Sequence, residues 1–225
     1  MVRKPSPAAE ARLDRFVEEG GDMVSTGQQP GLFGGPMYSL YKALTVVQLA
    51  EALEPLLNRP VLPLFWVGSE DHDWAEADHT HLLDRNNDLH TFRLPEPDGS
   101  PARPLFRIPL KEGLHEALGT FCEILPDTDF SQAFLESLRD SYSAGRTLSD
   151  GFVEILEGWL EHLPLLFTEA HHPILKEASQ SVLFRELDES ESHEALLHRA
   201  GSHLEMEGYS LQVPILEGGV NLFFE

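Results

Sequence analysis

Cysteine is almost missing from this chain: Cys122 is the only one in 225 residues. A lone thiol excludes an internal disulfide and any cysteine-based zinc site, and it suits a reducing compartment. Its neighbours Phe121, Ile124 and Leu125 predict a small buried hydrophobe rather than a nucleophile. Positive charge is scarce as well. Sixteen Lys and Arg stand against 38 Asp and Glu, a formal net charge of -22, which opposes binding to nucleic acid or to anionic membrane surfaces. No apolar run approaches the roughly 20 residues of a membrane span. The start, Met1-Val2-Arg3-Lys4-Pro5, lacks the apolar core and cleavage site of a signal peptide. A cytoplasmic protein is the expectation, and its hydrophobic fraction of 41% is that of an ordinary globular one.

What is present alternates between helical and strand patterns. Residues 6–19 read as an amphipathic helix capped by Ser6, with Pro7 in its first turn and Gly20-Gly21 as the stop. Met23 to Thr26 is a short apolar stretch that predicts a buried strand. A glycine-rich loop runs to Gly35, and Pro36 opens a helix to about Leu53 that is apolar over much of its circumference. Val61 to Val67 is a continuous apolar run, the pattern of a strand buried on both faces. Strand, glycine-rich turn, helix and strand make one βαβ unit, with its ligand edge at the carboxyl ends of the strands.

The pattern then changes. Residues 79–83 and 89–94 flank Asp84-Arg85-Asn86-Asn87-Asp88 as a hairpin. A strand is expected at Leu105 to Ile108, and helices at about 112–124, 130–143 and 149–162, the last capped by Ser149. Leu165 to Thr168 predicts another buried strand, ending in Glu169-Ala170-His171-His172-Pro173. Charged helical sequence continues to about Met206, and Leu211 to Val213 and Asn221 to Phe224 look extended. The chain divides into residues 1–74, a half core with an N-terminal helix; 75–163, an inserted hairpin and helical region; and 164–225, a return to the core plus helices. It stops within an apparent strand, which suggests a fragment.

Two clusters carry the chemistry. In Thr26-Gly27-Gln28-Gln29-Pro30-Gly31-Leu32-Phe33-Gly34-Gly35-Pro36-Met37-Tyr38, the glycines let backbone N–H groups approach a phosphate at a helix start. Gln28 and Gln29 supply amide donors. Lys42, one of only four lysines, lies in the second turn of the following helix as a point charge. The spacing matches neither a P-loop nor the dinucleotide fingerprint, and a plain tight turn with a solvated lysine accounts for it equally. Glu70-Asp71-His72-Asp73 follows the second strand. One reading makes His72 a proton-transfer or phosphate-contacting group oriented by a carboxylate. A second makes His72, Asp73, His79 and His81 a metal set. A third is a solvated acidic loop. His171-His172 ends a strand too, either on the same sheet edge or as a turn pair capping the next helix. Trp66 and Tyr38 flank buried elements and are expected in the core.

Thr26-Gly27-Gln28-Gln29-x-Gly31-Leu32-x-x-Gly35-Pro36-x-Tyr38-x-x-x-Lys42, followed by Pro63-x-Phe65-Trp66-x-x-x-Glu70-Asp71-His72-Asp73, resembles the bacillithiol biosynthesis cysteine-adding enzyme family (BshC). The likeness is dense over about fifty residues and looser onward to Gly219-Val220-Asn221-Leu222-Phe223. It implies an α/β fold, a nucleotidyltransferase-like Rossmann core with inserted connecting segments, and a coiled-coil arm that supports a homodimer. It also implies a ligase that adds L-cysteine to glucosaminyl malate in the last step of bacillithiol biosynthesis, with ATP activating the carboxyl and no metal. On that reading Gln28, Gln29, Gly31, Gly35, Tyr38, Lys42 and Asp71 bind substrate or nucleotide, and Glu70, His72 and Asp73 orient substrate or manage protons. The histidine-rich phosphate signature of related nucleotidyltransferases is absent, with Gly34, Gly35 and Pro36 in its place. The rival readings are a metal-dependent hydrolase built on Glu70-Asp71-His72-Asp73 and a non-catalytic nucleotide-binding or dimerisation module.

Overall fold

A computed structural model of the chain describes residues 5–96, 103–110, 113–143, 145–212, 215 and 217–220. It contains two compact units, Met1–His172 and Pro173–Glu225. The first is α/β. Its three-stranded sheet has the order β1-β2-β5, with β1 at Asp22–Gln28, β2 at Val61–Val67 and β5 at Leu166–Glu169. Both pairings are parallel, Thr26 lying opposite Phe65 and Trp66 opposite Thr168. The expected βαβ unit is therefore present: α2 (Tyr38–Leu57) connects β1 to β2 and packs on both strands.

Local chemistry explains most element ends. Ser6 caps α1 (Pro7–Glu19), its hydroxyl accepting from Ala9 N at 3.2 Å, as expected. Asn58 closes α2 in the left-handed region at φ 51°, a conformation that asparagine tolerates. The predicted hairpin forms from β3 (His79–Leu83) and β4 (Leu89–Arg93), and Asp84 Oδ1 organises its turn by accepting from Asn86 N and Asp88 N. Four more helices follow the short α3 (Trp74–Ala77): α4 (Gly113–Ile124), α5 (Ser131–Ser141) and α6 (Leu148–Trp159) in the first unit, and α7 (Pro173–Asp188) in the second, paired there with a fifth, α8 (Ser190–Met206). No helix among the described residues is long and apolar enough to cross a membrane.

Seven expectations are corrected. Residues 105–108 are not a strand but a 3-10 turn at Leu105–Arg107. Their amides are used up by a loop, Leu105 N donating to Asp71 O at 2.8 Å and Phe106 N to Ser69 O at 3.1 Å, so none remains for a ladder. The cap of α6 is Thr147, not Ser149: Thr147 Oγ1 accepts from Asp150 N while the Asp150 carboxylate accepts from Thr147 N, a reciprocal capping box. α2 is not buried all round. Its small residues Ser39, Ala43 and Ala50, with Val46 and Val47, face the sheet, whereas Tyr41, Leu44 and Leu49 are exposed. β1 is likewise half exposed at Met23, because among the described residues it pairs on one side only. Tyr38 and Trp66 lie at the surface rather than in the core. Cys122 is half-buried, its Sγ accepting from Arg139 Nη2 at 3.3 Å. Leu211 and Gln212 form no strand; Val213, Asn221 to Phe224 and Glu112 lie outside the described residues.

The main core joins sheet and insertion. Phe65, Val67 and Phe167 from the strands pack with Phe152, Ile155 and Leu156 of α6, and with Leu105, Leu138 and Phe121. Phe65 lies 5.4 Å from Phe167 and 6.4 Å from Phe152, ring to ring. At the opposite end of the sheet, Glu54 accepts from Arg12 Nη2 at 2.7 Å and Arg15 Nη1 at 2.8 Å, while Arg12 Nε holds Val61 O. The Arg15 hydrogen bond first, and the charges of Arg12 and Arg15 after it, hold the Glu54 carboxyl below its ordinary range.

Two predictions follow from these ends. Thr147→Ala removes the capping box and should lower unfolding free energy by about 1 kcal/mol in urea denaturation, a typical loss for an N-cap. Because the folded-state pKa of Glu54 is depressed, its contribution is present above the unfolded value and is lost as pH falls through the folded one. The melting temperature of Glu54→Gln should thus fall below wild type at neutral pH, with the gap closing in acid; a gap unchanged by acid contradicts this assignment.

Candidate functional site at the carboxyl edge of the sheet

β1 and β2 run parallel, so their carboxyl ends deliver the glycine-rich loop and the Gly68 to Asp73 segment to one edge. Gly68 N donates to Gln28 O at 2.9 Å, continuing the ladder one residue past the strands. The loop then tightens into a 3-10 turn at Leu32–Gly34. Phe33 there has φ 53°, an uncommon conformation for a bulky aromatic residue. It is held by edge contacts to Phe121 and Tyr142 at 5.1 and 5.4 Å.

Tyr142 fixes the loop from the far side. Its buried hydroxyl donates to Gly31 O at 3.0 Å and accepts from Gly34 N at 2.9 Å. Burial pushes the phenol well above its ordinary value, so it stays protonated and remains a donor. Gly34, at φ 90°, also lies so close to Trp159 that a Cβ would sit 2.9 Å from its ring. The glycines therefore serve close packing, and two of the loop amides are already taken: Gly34 N by Tyr142 and Gly35 N by Leu32 O at 3.1 Å.

Gln28, Tyr38 and Lys42 form one polar group. Lys42 Nζ donates to Gln28 Oε1 at 2.9 Å and to Gly27 O at 3.1 Å, and lies 5.1 Å from the centre of the Tyr38 ring. Gln28 Nε2 donates in turn to the Tyr38 hydroxyl at 3.2 Å. Lys42 is thus half-buried and engaged, not solvated. Gln29 Nε2 donates to Glu76 Oε2 at 2.6 Å. Gln28, Gln29, Gly31, Gly35 and Tyr38 wall one side of a cavity of about 970 Å³, with Glu76, His79 and His81 lining it as well and Phe33, Phe121, Phe134 and Trp159 among its apolar lining. Apolar walls with a few converging polar groups are what small-molecule sites provide.

Glu70, Asp71, His72 and Asp73 lie outside that wall. Asp73 caps α3, its Oδ1 accepting from Glu76 N at 3.0 Å, and Asp71 Oδ1 accepts from Asp73 N at 3.0 Å. These two carboxylates are thus occupied in shaping the turn. His72 and Glu70 are exposed and engaged by neighbours. His79 and His81 sit 5.2 Å apart on β3, bonded to Asp78 and Thr91. Among the described residues no three His, Cys, Asp or Glu side chains converge as metal ligands would.

The sequence matches the family description "Bacillithiol biosynthesis BshC, N-terminal Rossmann-like domain" over residues 2–225. The chain belongs to the BshC family. Its α/β sheet is accordingly a Rossmann-like domain, as the resemblance implied. Relatives named "Putative cysteine ligase BshC" include that of Salinibacter ruber, 34% identical over 84% of this chain and 35% of its own length. The BshC protein of Prosthecochloris aestuarii is 33% identical over 89% of this chain and 35% of its own; that of Oceanobacillus iheyensis is 25% identical over 96% and 40%. The chain thus spans little more than a third of the length of these BshC relatives.

Several site residues escape sequence reasoning. Tyr142 and Trp159 reach the BshC loop only through tertiary packing, and no spacing signals them; the β3 histidines His79 and His81, read in the sequence as possible metal ligands with His72, line the cavity instead. Glu76 has a faint signal, three residues after a capping Asp73. Tyr142→Phe leaves Gly34 N buried without its acceptor and should destabilise the domain by about 1–3 kcal/mol. Denaturation of both proteins checks it, and equal stability would remove the hydroxyl from its role in holding the loop.

Proposed function

We propose that this domain forms the substrate and nucleotide end of a ligase that adds L-cysteine to glucosaminyl malate, the last step of bacillithiol biosynthesis. The single observation that carries the reading is the walled cavity at the carboxyl edge of the parallel sheet, built from the same loop residues that make up the family motif. The BshC relatives are named as cysteine ligases, which supports the reaction class.

Joining a carboxylate to an amine requires activation of the carboxyl, and ATP is the proposed source. Its phosphate-containing leaving group would depart as the amine nitrogen attacks. Binding would fall to the cavity wall. Lys42 holds Gln28 by its carbonyl, so the Gln28 amide nitrogen is aimed at Tyr38 and the rim of the cavity. Lys42 stands behind the lining rather than in it; its Nζ group carries three donors, two of which the protein uses, and the third would serve an anionic oxygen that reaches past Gln28 and Tyr38. Gln29 and Tyr38 add neutral donors beside it, and the aromatic lining offers an apolar surface against which a ligand would pack. His72 and Glu70, exposed on the adjoining turn, are the proposed groups for proton handling and substrate orientation, while Asp71 and Asp73 hold that turn in place. The coiled-coil dimer belongs to the same proposal and would form in the whole protein.

The test is product analysis by mass spectrometry on the full-length protein encoded by the gene, with cysteine, glucosaminyl malate and ATP each omitted in turn. A cysteine-containing amide that requires all three is expected. Product formed without ATP would remove the activation step, and no product under any condition would remove the ligase reading. Lys42→Met should raise the KM for nucleotide or cysteine about tenfold or more, the loss expected for one charge-assisted hydrogen bond, without shifting the melting temperature by more than a few degrees.

A further inference from the structure

A second polar group stands on the same sheet edge and takes no part in the cavity. It is formed where β2 and β5 end, and its centre is Ser69. This serine is fully buried at the tip of β2. Its backbone is tied at both ends, Ser69 N donating to Val67 O at 2.8 Å and Ser69 O accepting from Phe106 N at 3.1 Å. Its hydroxyl lies 2.8 Å from His171 Nδ1 and 3.3 Å from His171 N.

The hydrogen-bond inventory decides the protonation pattern. The backbone N–H of His171 is only a donor, so Ser69 Oγ accepts there. The hydroxyl proton must then find an acceptor, because a buried hydroxyl without one is costly. Among the described residues the acceptor within reach is His171 Nδ1. Ser69 therefore donates to Nδ1, and the neutral ring must carry its proton on Nε2. Glu169 does not compete for this arrangement. Its Oε1 lies 3.9 Å from Nδ1, outside hydrogen-bond range, and accepts from Ser149 Oγ at 2.7 Å.

The ring is also fixed in plane. It stacks on Phe106 with centroids 4.1 Å apart and planes within 4°. Nε2 occupies the ring edge away from Nδ1, has no hydrogen-bond partner among the described residues, and belongs to a side chain about a quarter exposed. The guanidinium of Arg107 lies 5.3 Å from the centre of the same Phe106 ring. An oriented N–H donor with no protein acceptor among the described residues is a place for an anionic oxygen.

We infer that Ser69 and His171 form an anion-binding site at the carboxyl edge of the sheet, in which Ser69 fixes the imidazole as its Nε2–H tautomer and that N–H receives an anionic oxygen of the ligand, a carboxylate or a phosphate. The ligase reading bears on which anion arrives. It does not bear on whether the donor exists.

Long-range proton–nitrogen NMR of the labelled chain, above the titration of its imidazoles, reads the tautomer directly. Nε2–H is expected for His171, with a mixture of tautomers once Ser69→Ala removes the donor. Malate and inorganic pyrophosphate, added in separate arms, distinguish a carboxylate from a phosphate source. At least one should move the His171 Nε2 signal and bind about tenfold more weakly to His171→Phe, which keeps the stack on Phe106 but has no N–H. His171 found as Nδ1–H, a signal unmoved by both anions, or equal affinity in the two proteins overturns the site. None of these readings measures ligation, so the site and the ligase assignment fail separately.

Discussion

One buried hydroxyl holds this domain's working edge in shape. Tyr142 bridges Gly31 and Gly34 across more than a hundred residues of chain. Without that bridge the loop would carry an unpaired amide and an unpaired carbonyl into an apolar surrounding, each a desolvation cost with nothing to offset it. The bridge imposes conditions on its neighbours. Gly151 must be a glycine, since a Cβ there would meet the Tyr142 ring at 2.5 Å. Phe33 accepts a left-handed backbone because its ring fits between Phe121 and Tyr142. The helical insertion is thus a support that sets the loop's geometry rather than decoration on a finished sheet.

That dependence explains what could be read from the linear chain and what could not. The βαβ unit was legible because its signals are local: an apolar run at Val61–Val67, glycines and Pro36 before a helix, a cap at Ser6. The hairpin was legible through Asp84 and the Asn-rich turn. Residues 105–108 misled because apolar composition predicts a strand while the amides there are consumed by Ser69 and Asp71, partners far away in sequence. Ser149 misled for a related reason. It has the right chemistry for a cap, yet Thr147 stands at the boundary and Ser149 turns inward to Glu169. In α2 the fault was one of degree, since hydropathy counts Tyr41, Leu44 and Leu49 as core although the sheet covers only the face of Ser39, Ala43 and Ala50.

The candidate site divides along the same line. Gln28, Gln29, Tyr38 and Lys42 were visible because they crowd one loop and one helix turn, and their mutual bonds are short-range. The opposite wall could not be assembled from the sequence, because His79 and His81, Phe134 and Trp159 arrive from three further elements. Scarcity of positive charge drew attention to Lys42. It did not reveal that the amine is already shared between Gly27 and Gln28, which makes it a group that orders the loop.

The acidic run after β2 shows how much of a charged segment's work is backbone hydrogen bonding. Glu70-Asp71-His72-Asp73 draws the eye by charge density, but two of its carboxylates close a backbone turn and cap α3, a task that needs only oxygen acceptors. The residue just before the run is uncharged and fully buried. The hydroxyl of Ser69 lies 2.8 Å from His171 Nδ1, and through that bond it bears on which nitrogen of His171 carries the proton. A buried neutral donor constrains its partner more tightly than an exposed carboxylate does, because water can replace the carboxylate's contacts and cannot reach the hydroxyl's. The tight turn of acidic residues is then the fixture that sets Ser69 at the strand end, with Asp71 O holding Leu105 and thereby Phe106 against the ring of His171.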